Sequence, residues 1–478
     1  MNVTMKAIQA GVLIFLLTAY FLSVNFVASE DSLHYTLLSL ANILGYSLLA
    51  ILLGKPRVAH APIWLILYSI LISYFLQFYI VLHDPRIAGF DLWIDDFVAD
   101  PIVVMRYFEA VTIGFCSFCL ASILTISFVS KKPLTSNIRD YPSSYFRALI
   151  AFIVVLSLLS GSIMAIFGTS QMGGEAVSLP FRLSGIIFFV RVTLIPSLII
   201  YGILIADVNG RSKLFALFLV LLVMHGLSDM LMRGSRGFLL QIVLMATMLF
   251  VLSDRLNAFR VKVLGWTVAF TIVTVPIMGI SREIRGWGRE GIISGMVQAI
   301  SQVGYDLDTF FSTMIDVSFF LLLRFTGAVS FLQIMGREPE FVVNRIFEPG
   351  FTIVDYMTYE VMGWPIDQAM GYAPSTFGYL YLLDGLGALA LGMIILVFGS
   401  MVVWTLLCRL SLRVRPVVMA IFLAWYFVIL ADGTWDGLFF KFFIVAVAMI
   451  FCEFLARVKF ENGIGIRSGQ KHRSKNSW

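Results

Sequence analysis

The feature of this chain that most constrains its fold is a series of apolar runs long enough to cross a lipid bilayer. A membrane-spanning helix needs about 20 mostly apolar residues, and we predict an all-α, polytopic membrane bundle of about twelve spans, give or take about two. Only 13% of the residues are charged, whereas soluble proteins carry about 25%. The chain therefore has too few charges to cover the surface of several soluble domains. The apolar runs lie at about 7–28, 33–53, 62–82, 104–129, 145–167, 183–205, 214–232, 238–252, 263–280, 386–407, 416–431 and 437–456.

The region between residues 281 and 385 differs from the rest of the chain. Charged residues, glycines and prolines recur there, and its best apolar stretch, 312–335, contains Asp316 and Arg324. We therefore predict four regions. They are an N-terminal bundle of about nine spans over 1–280, a large periplasmic loop region with partly re-entrant or amphipathic helices over 281–385, about three C-terminal spans over 386–457, and a basic cytoplasmic tail over 458–478.

The distribution of Lys and Arg predicts which side of the membrane each loop occupies. Cytoplasmic loops of membrane proteins carry an excess of these residues. Alternate loops of this chain, together with the C-terminal tail, hold 21 of its 34 basic residues. We therefore expect a multi-pass protein of the bacterial inner membrane, with both termini in the cytoplasm and the 281–385 region in the periplasm.

The remaining 13 basic residues, predicted to lie within the membrane or on its outer side, are almost all arginine. Twelve are Arg and only Lys441 is Lys, whereas the cytoplasmic set contains 12 Arg and 9 Lys. Topology requires only positive charge, but the guanidinium group offers a planar fork of donors that matches phosphate oxygens in pairs. We therefore favour an anionic substrate. The alternative is that these side chains pair with acidic residues or anchor helices at lipid headgroups. The twelve are Arg86, Arg106, Arg182, Arg191, Arg233, Arg236, Arg282, Arg285, Arg289, Arg324, Arg337 and Arg345.

The first candidate site lies along one predicted helix. His225, Asp229 and Arg233 follow one another at intervals of four residues, and Arg236 comes three residues later. This spacing keeps them near one helical face. The pattern suits a site in which Asp229 and His225 supply an acid and a candidate base, and the two arginines form a positively charged surface nearer the end of the helix. The alternative is a buried ladder of His, Asp and Arg that locks helices together.

The second candidate site combines three arginines with an aromatic ring. Arg282, Arg285 and Arg289 fall at positions i, i+3 and i+7 around Trp287, and Glu283 stands among them. The indole ring of Trp is a suitable platform for the apolar face of a sugar. The alternative is an interfacial anchor built from Trp and Arg.

Two further stretches contain candidate binding residues. Arg324 lies within an apolar run, and an ionisable residue inside a membrane marks a candidate functional site because it is costly there. Tyr372, Tyr379 and Tyr381 lie in a glycine-rich stretch around Pro374, where their hydroxyl groups suit a polyhydroxyl ligand. The alternative is a proline-started entry to a helix with interfacial tyrosines. The sequence carries no P-loop and no His/Cys zinc spacing, so no metal, cofactor or nucleic-acid partner is expected.

Three of these segments together resemble the Wzy-type O-antigen polymerase family. The R-G-S-R-G-F-L-L run at Arg233–Leu240 is similar to the arginine motif of that family, and so is the Arg324–Gly327 segment. The Ala373–Gly387 stretch resembles the segment that precedes a late helix in the family. One departure is Asp384, because the family often has Asn before the glycine that follows.

The resemblance implies a GT-C-like, metal-independent and inverting glycosyltransferase. Such an enzyme transfers a growing polysaccharide from undecaprenyl pyrophosphate onto a new lipid-linked repeat unit, and it works beside a chain-length regulator and a flippase. Pyrophosphate and sugar would then be bound by arginines and tyrosines, and a base would receive the proton of the acceptor hydroxyl. The candidates for the base are Asp229, Glu283 and His225, in that order. The binding candidates are Arg191, Arg233, Arg236, Arg282, Arg285, Arg289, Arg324, Tyr372, Tyr379 and Tyr381.

Two other functions remain open at this point. An O-antigen ligase uses the same class of donor with a different acceptor. A transporter or flippase of lipid-linked oligosaccharides also spans the membrane many times, but such proteins usually contain repeated halves, and the sequence has no internal repeat.

Overall fold

The structure is a computed structural model, and it describes about two thirds of the chain. The described residues are 2–24, 29–53, 58–83, 94–126, 141–167, 183–233, 245, 327–348, 350–363, 373–409, 414–433, 435 and 438–457.

The described residues form helices and connecting turns, with no strand among them. Two of the helices contain a wider π-helical turn, at Leu71–Leu76 and at Val190–Leu194. A third such turn, Tyr356–Val361, continues the short helix α10. The helices are α1 (Asn2–Ser23), α2 (Ser32–Leu53), α3 (Ala61–His83), α4 (Ile94–Ala99), α5 (Pro101–Ile126), α6 (Ser143–Phe167), α7 (Leu183–Val208), α8 (Ser212–Arg233), α9 (Gly327–Arg337), α10 (Ile353–Asp355), α11 (Ser375–Arg409), α12 (Arg415–Asp432) and α13 (Leu438–Arg457).

Seven of these helices are long and apolar enough to cross a membrane: α2, α3, α5, α6, α7, α8 and α11. Shorter apolar stretches occur in α1, over Ala10–Phe21, and in α12, over Arg415–Leu430. The prediction of an all-helical protein with many membrane-type helices is therefore confirmed for the described part of the chain.

The helices form two groups that α12 joins. One group contains α1, α2, α3, α5, α9 and α11, and the other contains α6, α7, α8 and α13, while α12 packs against members of both. In α3 and α7, 72% of the spanning segment is buried, against 28% in α2, α6 and α11. The first two helices are therefore the interior of the bundle, and the other three expose apolar side chains as lipid-facing helices do.

Contacts between helix ends bring residues that flank several of the predicted basic loops to one end of the bundle. The hydroxyl of Tyr141 donates to the carbonyl of Ala456 at 2.8 Å, and the Tyr141 amide donates to Asn209 Oδ1 at 3.2 Å. The Val414 amide donates to Glu453 Oε2 at 3.2 Å. Tyr141 just before α6, Asn209 between α7 and α8, and Val414 just before α12 therefore lie beside the last turn of α13. We call this the basic end, and the end with the ion pair of Arg106 and Glu338 the opposite end.

Helix α11 is a hairpin of two legs rather than one straight rod. Its backbone reverses at Asp384 and Gly385, and Gly385 has a φ of 68°, which glycine tolerates because it has no side chain. Gly392 lies so close to the Leu380 side chain that a β-carbon there would collide. These two residues would be about 18 Å apart in a straight helix. The short leg, 375–383, therefore packs back against the long leg, 386–409.

The short leg of α11 and helix α9 both begin inside the bundle. The Ala328 amide donates to Gln77 Oε1 at 2.7 Å, and the Phe377 amide donates to the hydroxyl of Tyr74 at 2.7 Å. Tyr74 lies about 13 Å along α3 from His83, the last residue of that helix. Parts of the 281–385 region are thus half-helices that rise from the interior of the bundle to its opposite end.

A topology reporter tests which end faces the cytoplasm. A reporter fused after Arg457 should read as cytoplasmic, and one fused after Arg345 should read as periplasmic, because the basic end carries the excess of Lys and Arg. The measurement is a pair of reporters, one active only in each compartment. A cytoplasmic reading after Arg345 would contradict the assignment of the 281–385 region to the substrate side.

Candidate functional site

The structure brings Arg191, His225 and Asp229 together in one buried cluster. Arg191 lies in α7, while His225 and Asp229 lie two turns and one turn before the end of α8. The side chains of Arg191 and Asp229 are 1% and 0% exposed, and Arg191 Nε donates to Asp229 Oδ1 at 2.8 Å. The cluster is therefore built around a fully buried ion pair between two helices.

The sequence of α7 explains why His225 binds the backbone at Arg191. In a regular helix, the Arg191 carbonyl would accept from the Ile195 amide, but that amide donates to the Val190 carbonyl in the π-helical turn. The next residue, Pro196, has no amide hydrogen to offer. The carbonyl of Arg191 instead accepts a hydrogen bond from His225 Nε2 at 2.9 Å.

Serine residues of α6 and α8 complete the cluster. Arg191 donates from one terminal nitrogen to the Ser157 carbonyl at 3.2 Å and to Ser160 Oγ at 3.5 Å. Its other terminal nitrogen donates to Ser228 Oγ at 3.3 Å. Ser157 Oγ also lies 3.1 Å from His225 Nδ1, within hydrogen-bond distance. Three helices, α6, α7 and α8, are thus held at one point.

This geometry corresponds to a junction that locks helices together. Asp229 and His225 are buried and engaged with Arg191, while a general base has to lie within hydrogen-bond reach of a substrate hydroxyl. Arg191, the ion partner of Asp229 in the described part of the chain, comes from α7. The catalytic roles of Asp229 and His225 remain predictions.

Three other arginines of the predicted outer set, Arg106, Arg337 and Arg345, also contact protein groups. Arg106 pairs with Glu338, and Arg337 Nε donates to Gln333 Oε1 at 3.1 Å. Arg345 donates from both terminal nitrogens to the two carboxylate oxygens of Glu360, at 2.9 and 3.0 Å. These hydrogen bonds hold the pKa of Glu360 below its usual value. Pairing with acidic residues therefore accounts for Arg106 and Arg345.

Tyr379 and Tyr381 lie on the short leg of α11. This segment is a helix that follows Pro374, as in the alternative of a proline-started helix entry, and both side chains are half-buried. The ring of Tyr381 meets the rings of Phe331 and Phe341 edge to face, each at a centroid distance of 5.8 Å. Tyr381 thus belongs to an aromatic cluster between α9, α11 and the turn after α9.

The remaining candidates lie outside the described residues. Arg233 is the last residue of α8, but its side chain is not among those described. Glu283, Arg236, Arg282, Arg285, Arg289, Arg324 and Tyr372 also lie outside the described part. The Arg233–Leu240 segment begins one turn beyond Asp229, and the Arg324–Gly327 segment ends where α9 begins.

Sequence reasoning missed the residues that complete these arrangements. Ser157, Ser160 and Ser228 bind Arg191, while Tyr74 and Gln77 bind the first turns of the half-helices. Gln77 gave the strongest signal, because its amide is the most polar of these side chains and it lies within the apolar run 62–82. No group of three or more His, Cys, Asp and Glu side chains that could hold a metal ion occurs among the described residues.

Comparison with known proteins gave no match. No family model, no curated protein and no solved structure is significantly similar to this chain.

Removing one partner of the buried ion pair should destabilise the protein more than replacing both. Arg191→Met and Asp229→Leu each leave a charge buried without its partner, a change that costs about 3–5 kcal/mol. The double variant leaves two apolar side chains in contact, so its melting temperature should lie closer to that of the unchanged protein. The measurement is the fraction of detergent-purified protein that stays monodisperse after heating.

The exposed pair of Arg106 and Glu338 is the control for this experiment. Their side chains are 49% and 64% exposed, and exposed pairs contribute about 0–1 kcal/mol. Glu338→Gln should therefore change the melting temperature little. If the melting temperature of the double variant falls by the sum of the decreases in the two single variants, Arg191 and Asp229 do not stabilise one another.

Proposed function

We propose that this chain is a metal-independent, inverting glycosyltransferase that polymerises lipid-linked oligosaccharide repeat units into a bacterial surface polysaccharide such as O-antigen. The donor is a growing chain on undecaprenyl pyrophosphate, and the acceptor is a new lipid-linked unit. The reaction takes place on the periplasmic side of the inner membrane, in a GT-C-like bundle of about twelve spans.

The observation that carries the proposal is the near absence of Lys among the basic residues outside the predicted cytoplasmic loops. Twelve of these 13 residues are Arg, and the guanidinium fork suits the paired oxygens of a pyrophosphate. Arg106, Arg191 and Arg345 already have carboxylate partners in the protein. The donors proposed for the substrate are therefore Arg233, Arg236, Arg282, Arg285, Arg289 and Arg324.

The junction around Arg191 supports a positioning role for the end of α8. The Arg233–Leu240 segment leaves that helix one turn beyond Asp229, which the ion pair holds to α7. A fixed helix end restricts the directions in which the following chain can run. Donors that are placed before the reaction stabilise developing charge without reorganisation. We therefore assign Arg191 and Asp229 to positioning rather than to contact with substrate.

The chemistry requires a base and a stabilised leaving group. The acceptor hydroxyl attacks the anomeric carbon, the bond from that carbon to the pyrophosphate oxygen breaks, and the configuration inverts. The base receives the hydroxyl proton, while guanidinium groups stabilise the negative charge on pyrophosphate. Because Asp229 and His225 are engaged in the junction, we favour Glu283 as the base.

The direct test is incubation of the purified protein with lipid-linked repeat units. A ladder of products with increasing numbers of repeat units would support the proposal. Transfer onto a lipid A core without a ladder would indicate a ligase. Movement of the units across a liposome membrane with no new glycosidic bond would indicate a flippase, and either result would contradict polymerisation.

Replacement of the proposed pyrophosphate-binding arginines by lysine should cause a large loss of activity. Arg236→Lys, Arg282→Lys and Arg324→Lys keep the charge but lose the paired donors. Each should reduce product formation by about 10²–10³-fold, the loss expected for one transition-state donor. The measurement is the distribution of chain lengths on a gel, alongside the amount of protein in the membrane fraction.

Arg106→Lys is the matched control for this series. Arg106 is half-exposed and paired with Glu338, so a lysine ammonium can replace it and the ladder should stay near normal. Near-normal ladders from the other three lysine variants would remove the pyrophosphate-binding role of those arginines.

Polymerisation should also survive removal of divalent cations. The proposed mechanism assigns charge stabilisation to guanidinium groups, so EDTA should leave the ladder unchanged. The measurement compares ladders with EDTA, and with EDTA followed by excess magnesium or manganese. Activity that is lost with EDTA and restored by the cation would instead point to acidic residues, such as the Asp91–Asp100 stretch or the pair of Asp306 and Asp308.

A further inference from the structure

The turn at residues 341–348, which follows α9, exposes three large apolar side chains. Phe347 is 88% exposed, Phe341 48% and Val343 41%. We call this segment the Phe347 turn. It connects α9 with α10 and lies outside the long apolar helices. Clustered exposed apolar side chains on a folded protein mark a surface that contacts another molecule or a membrane.

The Phe347 turn is attached to the tip of the α11 hairpin. The amides of Val342 and Val343 donate to the carbonyls of Leu382 and Leu383, at 2.9 and 3.1 Å. These carbonyls end the short leg, where no further turn of helix supplies donors. The ring of Phe341 packs near Gly385, at the point of reversal. The position of the turn therefore follows from the position of the hairpin tip.

The length of the long leg places this tip at a membrane boundary. The 24 residues from 386 to 409 extend about 36 Å as a helix, and the hydrocarbon core of a bilayer is about 30 Å thick. Along this leg, Leu391, Ile395, Val402 and Leu406 are exposed, which is the pattern of a lipid-facing surface. The tip, and the turn bound to it, then lie at the level of the lipid headgroups.

The polar side of the Phe347 turn is fixed against the protein. The guanidinium of Arg345 forms two hydrogen bonds with Glu360 and lies over the rings of Phe351 and Tyr356, at 4.8 and 5.4 Å from their centroids. The Arg345 amide donates to the Val342 carbonyl at 2.8 Å, and the Glu348 amide donates to the Arg345 carbonyl at 2.9 Å. Phe347 is thus held outward by a turn that is already ordered.

We propose that the Phe347 turn inserts into the headgroup region of the leaflet at the opposite end of the bundle, with Phe347 as the inserted side chain. The partner is the lipid surface itself. The lipid-facing stripe of α11 ends at the hairpin tip to which the turn is bound, so the turn continues an apolar surface that the bilayer already covers. Aromatic side chains are also enriched at the interface between membrane and water. This inference does not depend on the proposed function.

Depth-dependent quenching tests the insertion. An environment-sensitive fluorescent amino acid is introduced at position 347 by codon suppression, and in a second variant at Asn344, an exposed polar residue of the same turn. The otherwise unchanged protein is reconstituted into liposomes of a single lipid. Nitroxide-labelled lipids, with the label at the headgroup or at a shallow acyl carbon, report membrane contact. Iodide reports exposure to water.

We expect the probe at position 347 to lose fluorescence with the nitroxide lipids and to be protected from iodide. The probe at position 344 should show the reverse. Quenching of the position 347 probe by iodide, to the same extent as at position 344, would overturn the proposal. Protection from both quenchers would also overturn it, because the side chain would then be covered by protein.

A conservative variant guards against a probe that disturbs the turn. Phe347→Trp keeps an aromatic side chain, and its additional fluorescence is obtained by subtraction of the unchanged protein. Brominated lipids should quench that added signal. A signal that brominated lipids leave unchanged would contradict insertion.

Discussion

A polar group inside a bilayer has no water to bind, and each such group in this protein must find its partner within the chain. At several helix ends and turns of the described bundle, a side chain of one helix binds the backbone of another and so satisfies this requirement. His225 binds the carbonyl that Pro196 leaves without a donor. Gln77 and Tyr74 bind amides in the first turns of two half-helices. These bonds allow the bundle to contain helix ends in its interior.

The ion pair of Arg191 and Asp229 also satisfies buried groups from within the chain, but burying charged groups costs more free energy than burying neutral ones. Burying two charges costs several kcal/mol per ion, so such a pair is weak evidence for added stability. Its effect is on arrangement, because Arg191 binds groups of α6 and α8 from a position in α7. A shift of one of these helices would leave a charge or a carbonyl without a partner. The pair thus makes one arrangement of the three helices strongly preferred.

The sequence predicted the long apolar helices well and the short helices within the bundle poorly. The apolar runs at 33–53 and 183–205 match α2 and α7 within a few residues, although α2 exposes apolar side chains and α7 is largely buried, because any helix that crosses a bilayer needs about 20 mostly apolar residues. The short leg of α11, 375–383, is too short to meet this criterion. The spacing in α8 grouped His225 and Asp229 correctly, while the side chain of Arg233 lies outside the described part of the chain. Spacing shows only neighbours on one helix, and the ion partner of Asp229 is 38 residues earlier in α7.

Part of the bias towards arginine has a structural cause that the sequence alone does not show. Arg191 reaches Asp229 and three serines in different directions, and Arg345 binds Glu360 through two nitrogens while it lies over two rings. A lysine ammonium has neither the span nor the plane for these contacts. At such positions the arginine has a structural role, because its partners are groups of the protein itself. Under the proposed function, the rest of the bias belongs to arginines that contact the substrate, and the R-G-S-R segment that begins at the end of α8 is the first place to test for them.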